Sequence, residues 1–221
     1  MATIGQLNFL RENREVLADP VLLIGSKMYE YDAGDLRTVL AELGLEDVTG
    51  VDIEAGDGVD EVVDITDPGD FLDRNRDRFA TVVCMEILTH VPQPFVAADN
   101  VASLARPGGT VVLSEVVVRK LSRMPADNWR FTPTGTKLVH SRLEFDDARA
   151  RMGYTRDRAG GLFPVPDQLP AVTDERHPDE TSLGYLVRRV HRRFLAKGVF
   201  QMSRLLPEST LYTIATRPEA G

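Results

Sequence analysis

Five short strand-like segments recur along the first half of the chain, two of them, Val21 to Ile24 and Phe79 to Met85, apolar almost throughout, and they are separated by segments with helical periodicity. The segments are Val21 to Ile24, Val48 to Ile53, Val59 to Ile65, Phe79 to Met85 and the strongly β-branched Thr110 to Val118. Apolarity that is continuous rather than alternating is what a strand covered on both faces requires, and strands of that kind belong to parallel sheets. Between them, Leu36, Val39, Leu40 and Leu43 place a helix over Asp35 to Leu45. Asp67-Pro68 opens a polar helix with proline in its first turn, and Pro94 to Leu104 forms another. An opening helix carries Leu7, Leu10, Arg14 and Leu17 and is closed by Pro20; Arg106-Pro107-Gly108-Gly109 reads as a turn. Strands alternating with helices without hairpin signals imply right-handed crossovers, and ligands of such sheets bind beyond the carboxyl ends of the strands.

Those strand ends carry the chemistry. Gly25 follows the first strand and allows close approach of backbone to a ligand, with free N–H groups at the start of the next helix for an anionic group. Asp52 ends the second strand, where a carboxylate accepts hydrogen bonds from both hydroxyls of a ribose. Asp64 ends the third, placed for an adenine amino group beside Ile65 as an apolar wall. Met85, Glu86 and His90 follow the fourth. This is the pattern of an adenosine-type cofactor site.

Composition narrows the classes. A net charge of −8 argues against a general nucleic-acid binder, which carries a basic excess. The single cysteine, Cys84, excludes an internal disulfide framework and a cysteine-rich zinc site, and its apolar neighbours make it a small buried hydrophobe. The first twenty residues lack the basic start and apolar core of a secretory signal, and no apolar stretch is long enough to span a bilayer, so a cytoplasmic protein is expected.

Phe79 to Pro92, with its Glu86-x-Leu88-x-His90-Val91 run, resembles the fourth-strand motif of the class I S-adenosylmethionine (SAM) methyltransferases. Leu104 to Leu113 is similar to that family's turn into strand five, Gly50 to Glu54 to its second-strand motif, and Asp127 to Pro133 to a segment of its small-molecule and glycan-modifying branch. The resemblance covers about residues 21 to 136 and the final strand, Leu211 to Thr216. It implies a single α/β domain over 1–221, with a Rossmann-like, mostly parallel seven-stranded sheet, helices on both faces and an antiparallel last strand. It further implies SAM as cofactor, with Gly25 and Ser26 lining the methionine moiety and Asp52 holding the ribose. Ile53 and Ile65 would flank the adenine, Asp64 would meet its amino edge, and Met85 would close the pocket. The implied activity is methyl transfer to a small-molecule or sugar acceptor. The chain departs from the family in its first loop, where Lys27, Met28, Tyr29, Glu30 and Tyr31 replace a multiple-glycine turn.

Two rivals stand beside this reading. One is a protein of the same fold that binds the cofactor, or acts as a scaffold, without transferring a methyl group. The other is a nicotinamide dehydrogenase, which should carry Gly-x-Gly-x-x-Gly after the first strand; that motif is absent. Individual residues also have plainer readings. Asp52 and Asp64 can end strands or cap turns. His90 is the candidate catalytic base, or a residue that shapes the loop after strand four. His140, expected on a helix after Pro133, is a weaker candidate base. Tyr29 and Tyr31 can face the sulfonium or pack a lid, and Trp129 can be a core anchor or a substrate platform.

Residues 160–208, between a sixth strand near Tyr154 and the last strand, read as a lid or substrate-recognition insertion. Within it Leu183, Leu186, Val187, Val190 and Phe194 recur at helical spacing, with Arg188, Arg189, His191, Arg192, Arg193 and Lys197 between them. The plain reading is a solvated basic face on a helix packed to the core. The sharper readings are a site for an anionic, phosphate-bearing acceptor or contact with an anionic membrane surface.

Overall fold

A computed structural model describes residues 2–30, 32–121, 125–154, 159–165, 181–194 and 208–219. Tyr31, Lys197 and most of the proline-rich part of the expected insertion lie outside the described residues. Among those described, eight strands form one sheet in the order β3-β2-β1-β4-β5-β8-β6-β7. The strands are β1 (Val21–Ile24), β2 (Val48–Asp52), β3 (Glu61–Val62), β4 (Phe79–Met85), β5 (Ala105–Val118), β6 (Glu144–Tyr154), β7 (Leu162–Pro164) and β8 (Ser209–Thr216). The helices are α1 (Ile4–Glu12), α2 (Leu36–Glu42), α3 (Asp70–Asn75), α4 (Pro94–Leu104), α5 (Pro133–Val139) and α6 (Ser182–Phe194).

The first five strands in this order run parallel, and β8 lies antiparallel between β5 and β6. This is the expected Rossmann-like sheet with one strand added, because β7 pairs antiparallel with β6 at the far edge. Side chains alternate across the central strands into two cores. Leu22, Ile24, Val82, Cys84 and Leu113 pack against α3 and α4 through Phe71, Ala97, Val101 and Leu104. Leu23, Val83, Met85 and Val112 pack against α1 and α2 through Leu7, Phe9, Leu10, Val39 and Leu40. Coverage on both faces is why these strands contain no polar alternation.

Local chemistry sets the helix starts. Thr3 and Gln6 form a reciprocal capping box on α1, and Asp35 accepts from the N–H groups of Arg37 and Thr38 on α2. Pro94 and Pro133 open α4 and α5, where no N–H donor is needed.

Four local expectations require correction. The opening helix ends at Glu12, and Arg14–Val16 continues only as a 3-10 turn. The helix expected from Asp67-Pro68 begins at Asp70 instead, because Gly69 in the left-handed region (φ 49°) turns the chain first. The Arg106–Gly109 segment is not a separate turn. Ala105 already pairs with Phe79, and Gly108 (φ 70°) bends the strand while its N–H donates to the Arg217 carbonyl. His140 is the cap residue after α5 rather than part of the helix.

Candidate functional site

Parallel register assembles the strand ends. Ile24 of β1 lies opposite both Val51 of β2 and Cys84 of β4, so Gly25 emerges between Asp52 and Met85. Asp52 in turn pairs with Val62, which leaves Asp64 just beyond the end of β3. The residues singled out in the sequence therefore meet at one end of the sheet, separated in sequence by as many as 60 positions.

Gly25 has φ 79°, and a Cβ there would lie 2.3 Å from the Ile87 side chain. The position needs glycine for its conformation, and any larger residue would also displace the end of the Ile87 side chain. Gly25 and Ser26 N–H groups both donate to the Val51 carbonyl, at 2.8 and 3.1 Å. Ser26 is buried and its Oγ has no hydrogen-bond partner. Asp52 accepts from the Lys27 N–H at 3.1 Å and from the Glu54 N–H at 3.1 Å, so one carboxylate fastens the first loop to the turn after β2.

The atypical first loop is held from several sides. Lys27 Nζ pairs with Glu54 at 2.6 Å, Met28 N–H donates to the Asp57 carbonyl, and Asp32 accepts from the Tyr29 and Ala2 N–H groups. Gly58 permits the close packing, since a Cβ there would lie 2.6 Å from the Ser26 carbonyl oxygen. Lys27 Nζ also lies 5.3 Å from the centre of the Tyr29 ring.

The adenine-side residues divide. Ile53 is 64% exposed at the mouth, whereas Ile65 is buried in the core and its carbonyl accepts from Asn100 Nδ2 at 2.9 Å. Asp64 accepts from the Thr66 N–H and Oγ1, the turn-capping geometry of its plainer reading. Met85 is buried in the core beneath the site.

Beyond β4, Glu86 sits in a polar cluster whose other members the sequence reading passed over. Glu86 occupies the left-handed region (φ 55°), pairs with Arg119 at 2.9 Å and accepts from Thr210 Oγ1 at 3.2 Å. A non-glycine residue in that region is uncommon and is found at functional sites. Glu115 on β5 is 1% exposed; it lies beside the Thr89 hydroxyl without a hydrogen bond of normal geometry to either carboxyl oxygen. Burial, then the nearby Glu86 carboxylate, pushes its pKa well above the carboxylate range, which favours the neutral acid. One signal could have exposed this cluster. Glu115 is the only acidic residue within the apolar run from Thr110 to Val118.

His90 Nδ1 lies 2.6 Å from the Ala126 carbonyl oxygen, which can only accept, so Nδ1 carries the proton. Asn128 Nδ2 donates to the His90 carbonyl and Trp129 Nε1 to the Val91 carbonyl, tying the loop after β4 to the segment after β5. Burial lowers the His90 pKa, so its ring is neutral at pH 7. Beside this junction a cavity of about 230 Å³ is lined by Phe95, Trp129, Phe131, Leu138 and Val139. His140 is elsewhere, buried against Phe145, with both ring nitrogens unpartnered.

Residues 29–156, more than half of the chain, match the family model of a methyltransferase domain. The chain belongs to the class I SAM-dependent methyltransferases. It is 31% identical over 102 residues to the ubiquinone biosynthesis O-methyltransferase of Shewanella pealeana, a match that covers 46% of this chain and 39% of the relative. The protein of the same name from Xanthomonas campestris pv. campestris is 32% identical over 127 residues, covering 51% of this chain and 50% of the relative. The chain thus spans half or less of the length of these curated relatives. The fold is shared with a SAM-dependent methyltransferase from Archaeoglobus fulgidus (TM-score 0.55, 17% identity, 95% of this chain and 92% of that one). It is also shared with the Burkholderia thailandensis 1,6-didemethyltoxoflavin-N1-methyltransferase, solved with its acceptor and S-adenosylhomocysteine (TM-score 0.55, 12% identity, 96% and 76%).

Proposed function

We propose that this methyltransferase-family protein moves the methyl group of SAM to a hydroxyl oxygen of a small molecule with a flat apolar face, a class that includes aromatic rings and the apolar faces of sugars. The observation that carries the cofactor half is the convergence of Gly25, Ser26, Asp52 and Met85 at one end of the sheet through the parallel register. The chemistry of these groups fits SAM. Gly25 admits close backbone approach, the buried Ser26 Oγ has no hydrogen-bond partner in the protein, and the Asp52 carboxylate suits ribose hydroxyls. Ile53 supplies an exposed apolar face for the adenine, with Asp64 at its edge.

The acceptor half rests on the apolar cavity beside Trp129 and on the O-methyltransferase names of the relatives. SAM supplies an activated methyl group; the protein's task is to align the acceptor oxygen with it and to remove a proton. In the transfer the carbon–sulfur bond breaks with its electron pair going to sulfur, a carbon–oxygen bond forms, and the acceptor proton leaves to a base. Alignment alone contributes about 7–11 kcal/mol. His90, with Nδ1 committed as a donor to Ala126, offers Nε2 for the proton.

Titration calorimetry with SAM tests the first half, and absence of binding at high-micromolar SAM would defeat the proposal. Transfer of labelled methyl from SAM to hydroxylated aromatic and sugar acceptors tests the second. His90→Gln should lower kcat by roughly 10²–10⁴-fold with SAM affinity retained. Because burial lowers the His90 pKa, the acidic limb of the wild-type kcat profile should have its midpoint below pH 6.5. The glutamine variant should lose that acidic limb. A kcat within twofold of wild type would assign His90 to loop shaping alone.

A further inference from the structure

Helix α6 contradicts the plain expectation that its apolar face packs on the core. Leu183, Leu186, Val187 and Val190 share one face by the 3.6-residue repeat, and they are 70%, 55%, 59% and 49% exposed. The same repeat places positions 188, 189 and 192, all arginine, on the opposite side, with Arg193 at its border. No acidic residue occurs in the thirteen residues of the helix. The chain carries net −8, and setting aside the four arginines of α6 leaves −12 for the remainder.

We propose that α6 lies in the interface of an anionic phospholipid surface, with its leucine and valine face among the acyl chains and its arginines at the headgroup phosphates. Two observations favour this occupant over a soluble phosphate compound. The exposed apolar face has no role in binding a soluble phosphate, whereas an interfacial helix buries that face in lipid. The charge is complementary, because cations concentrated on one helix are attracted to an anionic surface that repels the rest of the molecule, and this orients the approach.

The test is co-sedimentation of the full chain with vesicles of phosphatidylcholine alone and of phosphatidylcholine with phosphatidylglycerol at about 7:3. The bound fraction should rise several-fold with the anionic lipid and decline as salt is raised, since exposed charges are screened beyond about 10 Å at 0.1 M. Leu186→Asp with Val190→Asp should reduce binding to the neutral-vesicle level while leaving the thermal transition unchanged, because both side chains are exposed. Equal or absent binding to the two vesicle types would overturn the proposal, as would anionic-vesicle binding unaffected by the double substitution. A dimer in sedimentation velocity that the double substitution dissolves would reassign the face to a second copy of the chain.

Discussion

Asp52→Ala is expected to weaken SAM binding by roughly 10- to 150-fold, the equivalent of about 1.5–3 kcal/mol for hydrogen bonds to a charged acceptor. Two functions meet in this carboxylate. It is the group proposed to accept from the ribose hydroxyls, and it already accepts from the Lys27 and Glu54 N–H groups. Removing it therefore also loosens the first loop. Adenosine, which has the ribose and no methionine moiety, separates the two effects in a calorimetric titration. If Asp52 holds the ribose, adenosine affinity should fall by a factor similar to that for SAM. Unchanged adenosine affinity, with SAM affinity lost, would confine Asp52 to anchoring the loop. The thermal transition should shift little, because Asp52 ends its strand at the surface rather than in either core.

The second large effect concerns stability. Burial lowers the His140 pKa from 6.5 to about 4, in keeping with a ring whose two nitrogens are both unpartnered. The folded protein thus holds the ring neutral at a pH where the unfolded chain protonates it. For a base whose folded pKa is depressed, the contribution is complete above about pH 6.5 and is lost as pH falls toward 4. That window corresponds to about 3 kcal/mol. Glu115 acts in the opposite sense. Its folded pKa is raised, so its contribution is complete below the ordinary carboxylate range and is lost as pH rises toward the folded value. The two trends overlap in mildly acidic solution and partly cancel, so the wild-type profile by itself is a poor readout. The difference between wild type and His140→Leu in urea denaturation isolates the histidine. The variant should gain stability relative to wild type by about 3 kcal/mol between pH 6.5 and pH 4. A difference that stays constant across this range would show that His140 is not held neutral.

The strands could be read directly because their apolarity is local information. β1, β2 and β4 each require both faces to be covered, and each appears within a residue of its expected span. β3 shrinks to two residues, since Asp57-Gly58 turns tightly where the sequence pattern alone shows a run beginning at Val59. In the site, Gly25, Asp52 and Met85 were legible because parallel register brings strand ends together whatever the side chains are. The Glu86, Arg119 and Thr210 contacts were not legible. The Thr210 contact depends on β8 pairing with β5, between segments about 90–105 residues apart, and the Arg119 ion pair on β5 lying beside β4. Helical periodicity identified α6, but the same periodicity serves a helix packed on a core and one that presents its apolar face outward.

By itself, then, the sequence determined the alternation of covered strands and helices, and with it a parallel sheet whose ligand end carries Gly25 and Asp52. Those features follow from local burial patterns and from the fixed handedness of crossovers. Only the tertiary structure decided that Ile65 lies in the core while Ile53 stands open, and that Asp52 fastens the bulky first loop. It alone placed Glu115 and Glu86 together and left the α6 apolar face uncovered. Each of these depends on which distant segments come into contact, and a hydrophobic pattern does not specify its partner.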